Sequence, residues 1–371
     1  MEKISYISLM SNKVKTYGGI NLAQGLPGFA PPEELIDILN WISAENVHQY
    51  APSNGNIKLV GLLKEKYSPY TEENIMVTNG ATEAISLIFT YLCSIMPKSK
   101  TALGFDPVYE SFSRLPDIFG RKYVSFSLRE DFSIDFEELE NTVLENKVGL
   151  IFVNSPGNPY GRIWTEKEFI RLKEISEKHK VFVLADCVYS EVYFKKKPYL
   201  PLFESEYFFY VNSFSKLLSV TGWRVGYLIC SKKHIAEMRL IHDYTGLSSP
   251  SILQEAIALY LDKHEFGRKY VTGLRKKMRT SFELLSGKLN ECGFEMPPIE
   301  GGYFIWSKLP AGFKDCLKFS MDLYDKKKVA TVPGIHFSDE GKKFVRFNIA
   351  RPVNEIEEAG GLIKEFVKGR K

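Results

Sequence analysis

Between Ile75 and Ile229 the sequence alternates between short β-branched or aromatic runs and stretches with a helical period. Ile75–Thr78, Thr101–Phe105, Lys122–Ser125, Val148–Val153, Val181–Ala185 and Phe208–Asn212 read as strands. Val148–Val153 carries no polar residue, as a strand covered on both faces requires. Helices are predicted over Glu83–Met96, whose uncharged face must be buried, and over Thr165–Lys178. The second opens on Thr-Glu-Lys-Glu, so Thr165 can cap it while Glu168 reaches back. Strands alternating with helices predict a mostly parallel sheet with helices on both faces, an α/β fold.

Several classes are excluded early. With 49 Lys plus Arg against 45 Asp plus Glu, the net charge of +4 is too small to argue for nucleic acid. The 26 Phe and 20 Tyr are far more than a solvated coil carries. Five scattered cysteines form no Cys-x-x-Cys pair, and six histidines form no metal-ligating pair, so neither a disulfide framework nor a metal site is expected. Ala84–Met96 is free of charge but shorter than the ~20 residues a membrane span needs. No basic-then-apolar leader is visible, and a soluble, cytoplasmic protein is the expectation.

At 371 residues the chain has room for more than one domain. Residues 1–34 read as an N-terminal arm, with Gly18–Pro32 extended, and 35–274 as a large α/β domain. Past about residue 275 the texture changes: a long helical stretch, Tyr270–Asn290, leads into Gly301–Trp306 and Phe344–Ile349. Residues 275–371 therefore read as a smaller α+β domain.

In an open α/β sheet, ligands sit beyond the carboxyl ends of the strands. After Ile75–Thr78 comes Asn79-Gly80-Ala81-Thr82 and a helix, where small residues and a helix N-terminus suit a phosphate; a plain capped turn has the same signature. After Val148–Val153 comes Asn154-Ser155-Pro156-Gly157-Asn158-Pro159-Tyr160-Gly161, a stiff turn that can fix the direction of Asn158. Val181–Ala185 runs into Asp186, with Tyr189 three residues on. Phe208–Asn212 runs into Ser213-Phe214-Ser215-Lys216, then Thr221-Gly222-Trp223-Arg224-Val225-Gly226-Tyr227. A lysine just past a buried strand is unusual, because lysine is strongly hydrated. One use is as a neutral amine that forms a Schiff base, and the flanking hydroxyls and guanidinium suit a phosphate.

Pyridoxal 5′-phosphate asks for this set: a lysine, an acid for its ring nitrogen, an aromatic face and phosphate donors. Here the sequence resembles the fold-type I pyridoxal-phosphate aminotransferases of the aspartate aminotransferase-like superfamily. The matching segments are Asn21–Pro27, Gln49-Tyr50, Thr78–Ala84, Asn158–Gly161, Asp186–Tyr189, Ser213–Tyr227 and Phe344–Phe347, in the family's order. Asn21–Pro27 and Phe105–Tyr109 bring it nearest the methionine, glutamine and kynurenine aminotransferase branch.

The resemblance implies a three-layer fold with a mostly parallel seven-stranded sheet, and it assigns roles. Lys216 would carry the cofactor and shuttle the proton. Asp186 would pair with the ring nitrogen, Asn158 and Tyr189 would bond the phenolic oxygen, and Tyr109 would stack on the ring. Ala81, Thr82, Ser213 and Arg224 would bind the phosphate, joined by Tyr50 from the other subunit of a homodimer. Arg346 would clamp the substrate carboxylate near Gly25 and Asn158. Arg351 is a rival, but Arg346 lies inside a strand-like run where it shares a face with Asn348. Two departures stand out: Cys187 replaces the usual acid after Asp186, and Lys58 and Gly61 replace an arginine and an alanine.

The activity implied is amino transfer from an L-amino acid to a 2-oxo acid by a ping-pong route. C–S β-lyases share the cofactor motifs and are the alternative. A cofactor-binding regulator would need a DNA-binding module, for which the arm is too short. Tyr6, Tyr17, Leu26, Tyr109 and Leu247, the pocket residues by family position, are all neutral. They point to a neutral or aromatic substrate.

Overall fold

The computed structural model describes residues 5–369. The chain enters through a helix, Tyr6–Tyr17, and a two-residue strand, β1 (Ile20–Asn21). Seven strands then make the main sheet: β2 (Ile75–Thr78), β3 (Thr101–Asp106), β4 (Tyr123–Ser127), β5 (Val148–Asn154), β6 (Phe182–Asp186), β7 (Phe208–Ser213) and β8 (Gly226–Ile229). Their spatial order is β2-β8-β7-β6-β5-β3-β4. Only β8 runs against its neighbours, pairing antiparallel with both β2 and β7.

All seven residues of β5 are buried, because it lies mid-sheet with helices on both faces. Successive residues serve opposite layers. Ile151 and Val153 enter one core with Val183, Ala185 and Tyr210, while Leu150 and Phe152 enter the other with Leu184 and Phe209. Each fully buried side chain of this kind contributes about 1.5–3 kcal/mol of transfer free energy.

Two predicted helices form with shifted or sharpened ends. The first covers Ala81–Ile95 and begins two residues before the predicted Glu83. Gly80 at φ +81° turns the chain, and the Glu83 carboxylate accepts the Asn79 N–H at 2.5 Å, so the helix starts as soon as the turn is complete. The second covers Glu166–His179 with the expected reciprocal cap between Thr165 and Glu168.

The C-terminal part builds a second sheet from β9 (Phe304–Lys308), with β10 (Val329–Ala330) set apart, then β11 (Val332–Pro333) and β12 (Phe344–Asn348), antiparallel in the order β11-β12-β9. β10 instead pairs parallel with β1, tying the arm to this layer. A 24-residue helix, Arg268–Glu291, packs Leu274, Met278, Leu285 and Leu289 into the same core as Ile356, Ala359 and Ile363. The expected boundary at 274/275 falls inside this continuous helix.

Candidate active site

One rim of the main sheet gathers the chemistry. The carboxyl ends of β2, β5, β6 and β7 present Thr78, Asn154, Asp186 and Ser213, and antiparallel β8 brings its first residue, Gly226, between Thr78 and Ser213. The arm and the second sheet close over this rim. Between them lies a cleft of about 490 Å³ that holds Lys216, Asp186, Asn158, Tyr109, Arg224 and Arg346. A larger hollow of about 1210 Å³ along edge strand β4 mixes Arg121 and Lys122 with Asp106 and Asp117 and lacks such a converging set.

Lys216 sits in a one-turn helix, Phe214–Leu217, directly after β7. Its Nζ donates to the Gly25 carbonyl of the arm, and its own carbonyl accepts the Tyr303 hydroxyl at 2.7 Å. Burial, helped by the guanidinium groups of Arg346 and Arg224, pushes the amine down to about 8. Asp186 is buried, and burial raises its carboxyl to about 7 against the pull of the Val188 N–H, 3.2 Å away.

Asn158 is oriented by its neighbours. Its backbone N–H donates to Asn154 Oδ1 at 2.6 Å, and its Oδ1 accepts Arg346 Nη1 at 2.8 Å, which leaves the Nδ2 donor for the cleft. Tyr189 is buried against Tyr303 and Phe304, ring centroids 5.2 and 5.8 Å away, and burial raises its phenol. Tyr109 lines the cleft, its ring edge-on to Phe112.

A second group makes a cup. Ala81 and Thr82 open the 15-residue helix, where unpaired N–H groups and the helix dipole favour an anion. Ser213 Oγ and Ser215 Oγ are 2.9 Å apart. Arg224, in the left-handed region at φ +57°, reaches the Asn79 carbonyl from Nη2 at 3.2 Å. Two glycines permit this approach: a Cβ on Gly80 would lie 2.6 Å from Arg224 Nη2, and one on Gly226 would lie 2.6 Å from the Ala81 nitrogen.

Arg346, on β12, is fully buried between the rings of Phe304 and Phe337, at 4.0 and 4.6 Å. Its Nη2 donates to the Ala23 carbonyl at 2.5 Å, and its Nε is buried without a partner. Asn348, on the same face as expected, donates to the carbonyls of Gln24 and Leu26. Arg351 points elsewhere, paired with Glu355 at 2.7 Å.

Thus Gly25, Ala81, Thr82, Tyr109, Asn158, Asp186, Tyr189, Ser213, Lys216, Arg224 and Arg346 all line one cleft. Tyr50 does not; it is 82% exposed. Leu26 lines the cleft, whereas Tyr17 and Leu247 are on the surface, and Tyr6 packs edge-on against His336 beside the larger hollow. Ile7 takes the place at the cleft wall. Sequence reasoning missed Ile7, Asn154 as the anchor of Asn158, and the pair Tyr303-Phe304. The Gly301-Gly302 step before that pair was the available signal.

The donor set fits pyridoxal phosphate: an amine of lowered pKa, a buried acid suited to a cationic ring N–H, and an anion cup. Among the described residues no group of three metal-ligating side chains occurs, and no helix is long and apolar enough to cross a membrane.

Comparison with known proteins places these features in context. Residues 17–361 match the model of the family described as aminotransferase class I and II. The chain is 28% identical over 358 residues to a probable aspartate aminotransferase of Methanocaldococcus jannaschii, covering 94% of this chain and 93% of that protein. It is 29% identical over 336 residues to the methionine aminotransferase of Escherichia coli, covering 87% and 85%. The solved structure of N-succinyldiaminopimelate aminotransferase from Mycobacterium tuberculosis superposes with a TM-score of 0.90 at 26% identity, over 98% of this chain and 97% of that one.

Proposed function

The chain belongs to the class I and II aminotransferases and uses pyridoxal 5′-phosphate, and from that premise we propose that its cleft moves the amino group of a neutral L-amino acid, aliphatic or aromatic, to a 2-oxo acid. The observation that carries the substrate class is the commitment of the cleft's cations. Lys216 Nζ is held by the Gly25 carbonyl and would be taken up by the cofactor, Arg224 belongs to the anion cup, and Arg346 is held by Asn158 and Ala23. The remaining wall includes Ile7, Leu26, Ile85, Val188 and Phe304, which suits an uncharged side chain.

When bound, pyridoxal phosphate supplies a carbonyl for the amino group and a conjugated ring that draws electron density from the substrate α-carbon. The chain's residues supply the rest. Lys216 Nζ, neutral above about pH 8, would be the nucleophile that holds the cofactor and the base that takes the proton leaving the α-carbon. Asp186 holds a proton at the ring nitrogen. Asn158 Nδ2 and the Tyr189 hydroxyl would orient the phenolic oxygen, and Tyr109 would cover the ring face. Ala81, Thr82, Ser213 and Arg224 anchor the phosphate. Arg346, with its buried unpartnered Nε, takes the substrate carboxylate beside Gly25 and excludes water from it.

We also read the chain as a homodimer with shared sites, built from an arm (1–34), a large domain (35–274) and a small domain (275–371). Large side chains stand exposed at Tyr50, Ile57, Tyr244 and Leu247. The segments that carry Tyr50, Ile57 and Leu247 are joined, as Ser251 Oγ donates to the Val47 carbonyl and the Asn56 N–H to Gln254 Oε1. Beside them Lys58 pairs with Asp262 at 2.5 Å, and Gly61 faces open space. Five free cysteines agree with a reducing, cytoplasmic setting. The β-lyase reaction is not favoured, since the similar proteins named above are aminotransferases.

A panel of amino acids against several 2-oxo acids, with products identified, tests this reading. Turnover should require both partners and be fastest with neutral amino acids. Release of ammonia, pyruvate and a thiol without a 2-oxo acid would overturn it, and a strong preference for aspartate would overturn the substrate class.

A further inference from the structure

Two consecutive residues, Tyr303 just before β9 and Phe304 at its start, hold different parts of the site. Gly301 and Gly302 let this strand press onto the segment that carries Tyr189: a Cβ on Gly301 would lie 2.5 Å from the Val192 carbonyl oxygen, and Gly302 adopts φ +82°. The Gly302 N–H donates to the Val192 carbonyl at 2.8 Å, and the Ile349 N–H fixes the Tyr303 carbonyl at 2.8 Å. With the backbone held on both sides, the two side chains take different partners, the Lys216 carbonyl for Tyr303 and the Arg346 guanidinium for Phe304.

Tyr303 is fully buried behind the cleft, its ring centroid 5.7 Å from Lys216 Nζ and its hydroxyl donating to the Lys216 carbonyl. Phe304 stacks on the Arg346 guanidinium at 4.0 Å and lies on Gly25, where a Cβ would come within 2.7 Å of the ring. The carbonyl of that same Gly25 accepts Lys216 Nζ. We propose that Tyr303 and Phe304 are positioning residues with divided roles. Tyr303 fixes the backbone from which Lys216 Nζ reaches the reacting atoms, and Phe304 fixes the plane in which Arg346 receives a carboxylate. This rests on the assignment of Lys216 and Arg346 given above.

The test uses the holoenzyme and three variants, Tyr303→Phe, Phe304→Leu and Phe304→Tyr. Two quantities besides turnover are read from the visible band of the lysine-bound cofactor: its pH midpoint, and the dissociation constants of amine-free carboxylates from acetate to 3-phenylpropionate. Tyr303→Phe removes one hydroxyl and keeps the ring. It should lower kcat about tenfold and move the pH midpoint, with carboxylate affinity unchanged within about twofold. Phe304→Leu should weaken carboxylate binding about three- to tenfold and raise KM, with kcat and the midpoint moving less than in Tyr303→Phe. Phe304→Tyr, which keeps the aromatic face, should restore affinity. Wild-type kcat and midpoint in Tyr303→Phe would overturn the proposal. So would wild-type affinity in Phe304→Leu, or a parallel fall of every quantity in both variants. If wild-type enzyme itself gave no visible band or no carboxylate effect, the assignment of Lys216 and Arg346 would be what failed.

Discussion

A buried carboxyl with a raised pKa makes folding stability depend on pH, and Asp186 is that group. Burial lifts it from the usual carboxylate range to about 7. The folded chain therefore holds this proton more tightly than the unfolded chain does. The resulting stabilisation is complete below about pH 4 and is lost as pH rises through about 7. In apoprotein, wild type should lose on the order of 2–4 kcal/mol relative to Asp186→Asn between pH 4 and pH 8, read from urea unfolding. Equal differences at both pH values would mean Asp186 is ionised throughout. With cofactor bound, the same variant should keep its fold and lose most of its activity. Single residues of this kind were legible in the sequence because each follows a buried run directly. Asp186 ends β6, and Lys216 comes three residues after the end of β7. Tyr303 was not legible as a partner of Lys216, since 87 residues separate them and no local pattern records the contact.

Among the elements, glycines divide by what surrounds them. Gly226 touches the first turn of the helix Ala81–Ile95, so Gly226→Ala must displace the anion cup; cofactor affinity should fall about tenfold or more, measured by equilibrium dialysis. Gly287 lies exposed within the helix Arg268–Glu291 with nothing near its missing Cβ. Gly287→Ala should instead add about 0.5–1 kcal/mol, seen as a higher Tm with unchanged cofactor binding. If both substitutions behave alike, the cup does not depend on the close approach of β8. The main strands were readable because runs such as Val148–Val153 bury both faces, which removes alternation and leaves an unbroken apolar signature. The helix Tyr6–Tyr17 was not. It buries only Met10 and Ser11, lacks a side-chain cap, and is held by a distant residue, Tyr324, whose hydroxyl reaches the carbonyls of Lys13 and Gly18. Antiparallel β8 was equally hidden, because the reversal is produced by the Lys216–Arg224 turn rather than by any hairpin signal.

For the whole molecule, the sharpest question is whether two chains complete each site. Lys216→Ala and Tyr50→Ala homodimers should both be inactive. After subunit exchange, mixed dimers contain one site with both residues intact, and activity should return in part. No recovery after exchange is verified by mass would place Tyr50 outside catalysis. The sequence pointed to this only through resemblance, because an exposed tyrosine carries no mark of what covers it.

Arg346 grips the carbonyl of Ala23, a residue 323 positions earlier in the chain. At the usual pace of protein synthesis, about 5–20 residues per second, the two are made tens of seconds apart. The arm and the whole seven-stranded sheet leave the ribosome before the strand that finishes the cleft exists. Ala23 therefore waits for its partner until the end of synthesis, and the buried seam between arm and last strand is among the final contacts the chain can make. The cleft is thus closed by the last strand to be synthesised, and a chain cut short before β12 would lack both Arg346 and Asn348, the two side chains that hold the arm's carbonyls at Ala23, Gln24 and Leu26.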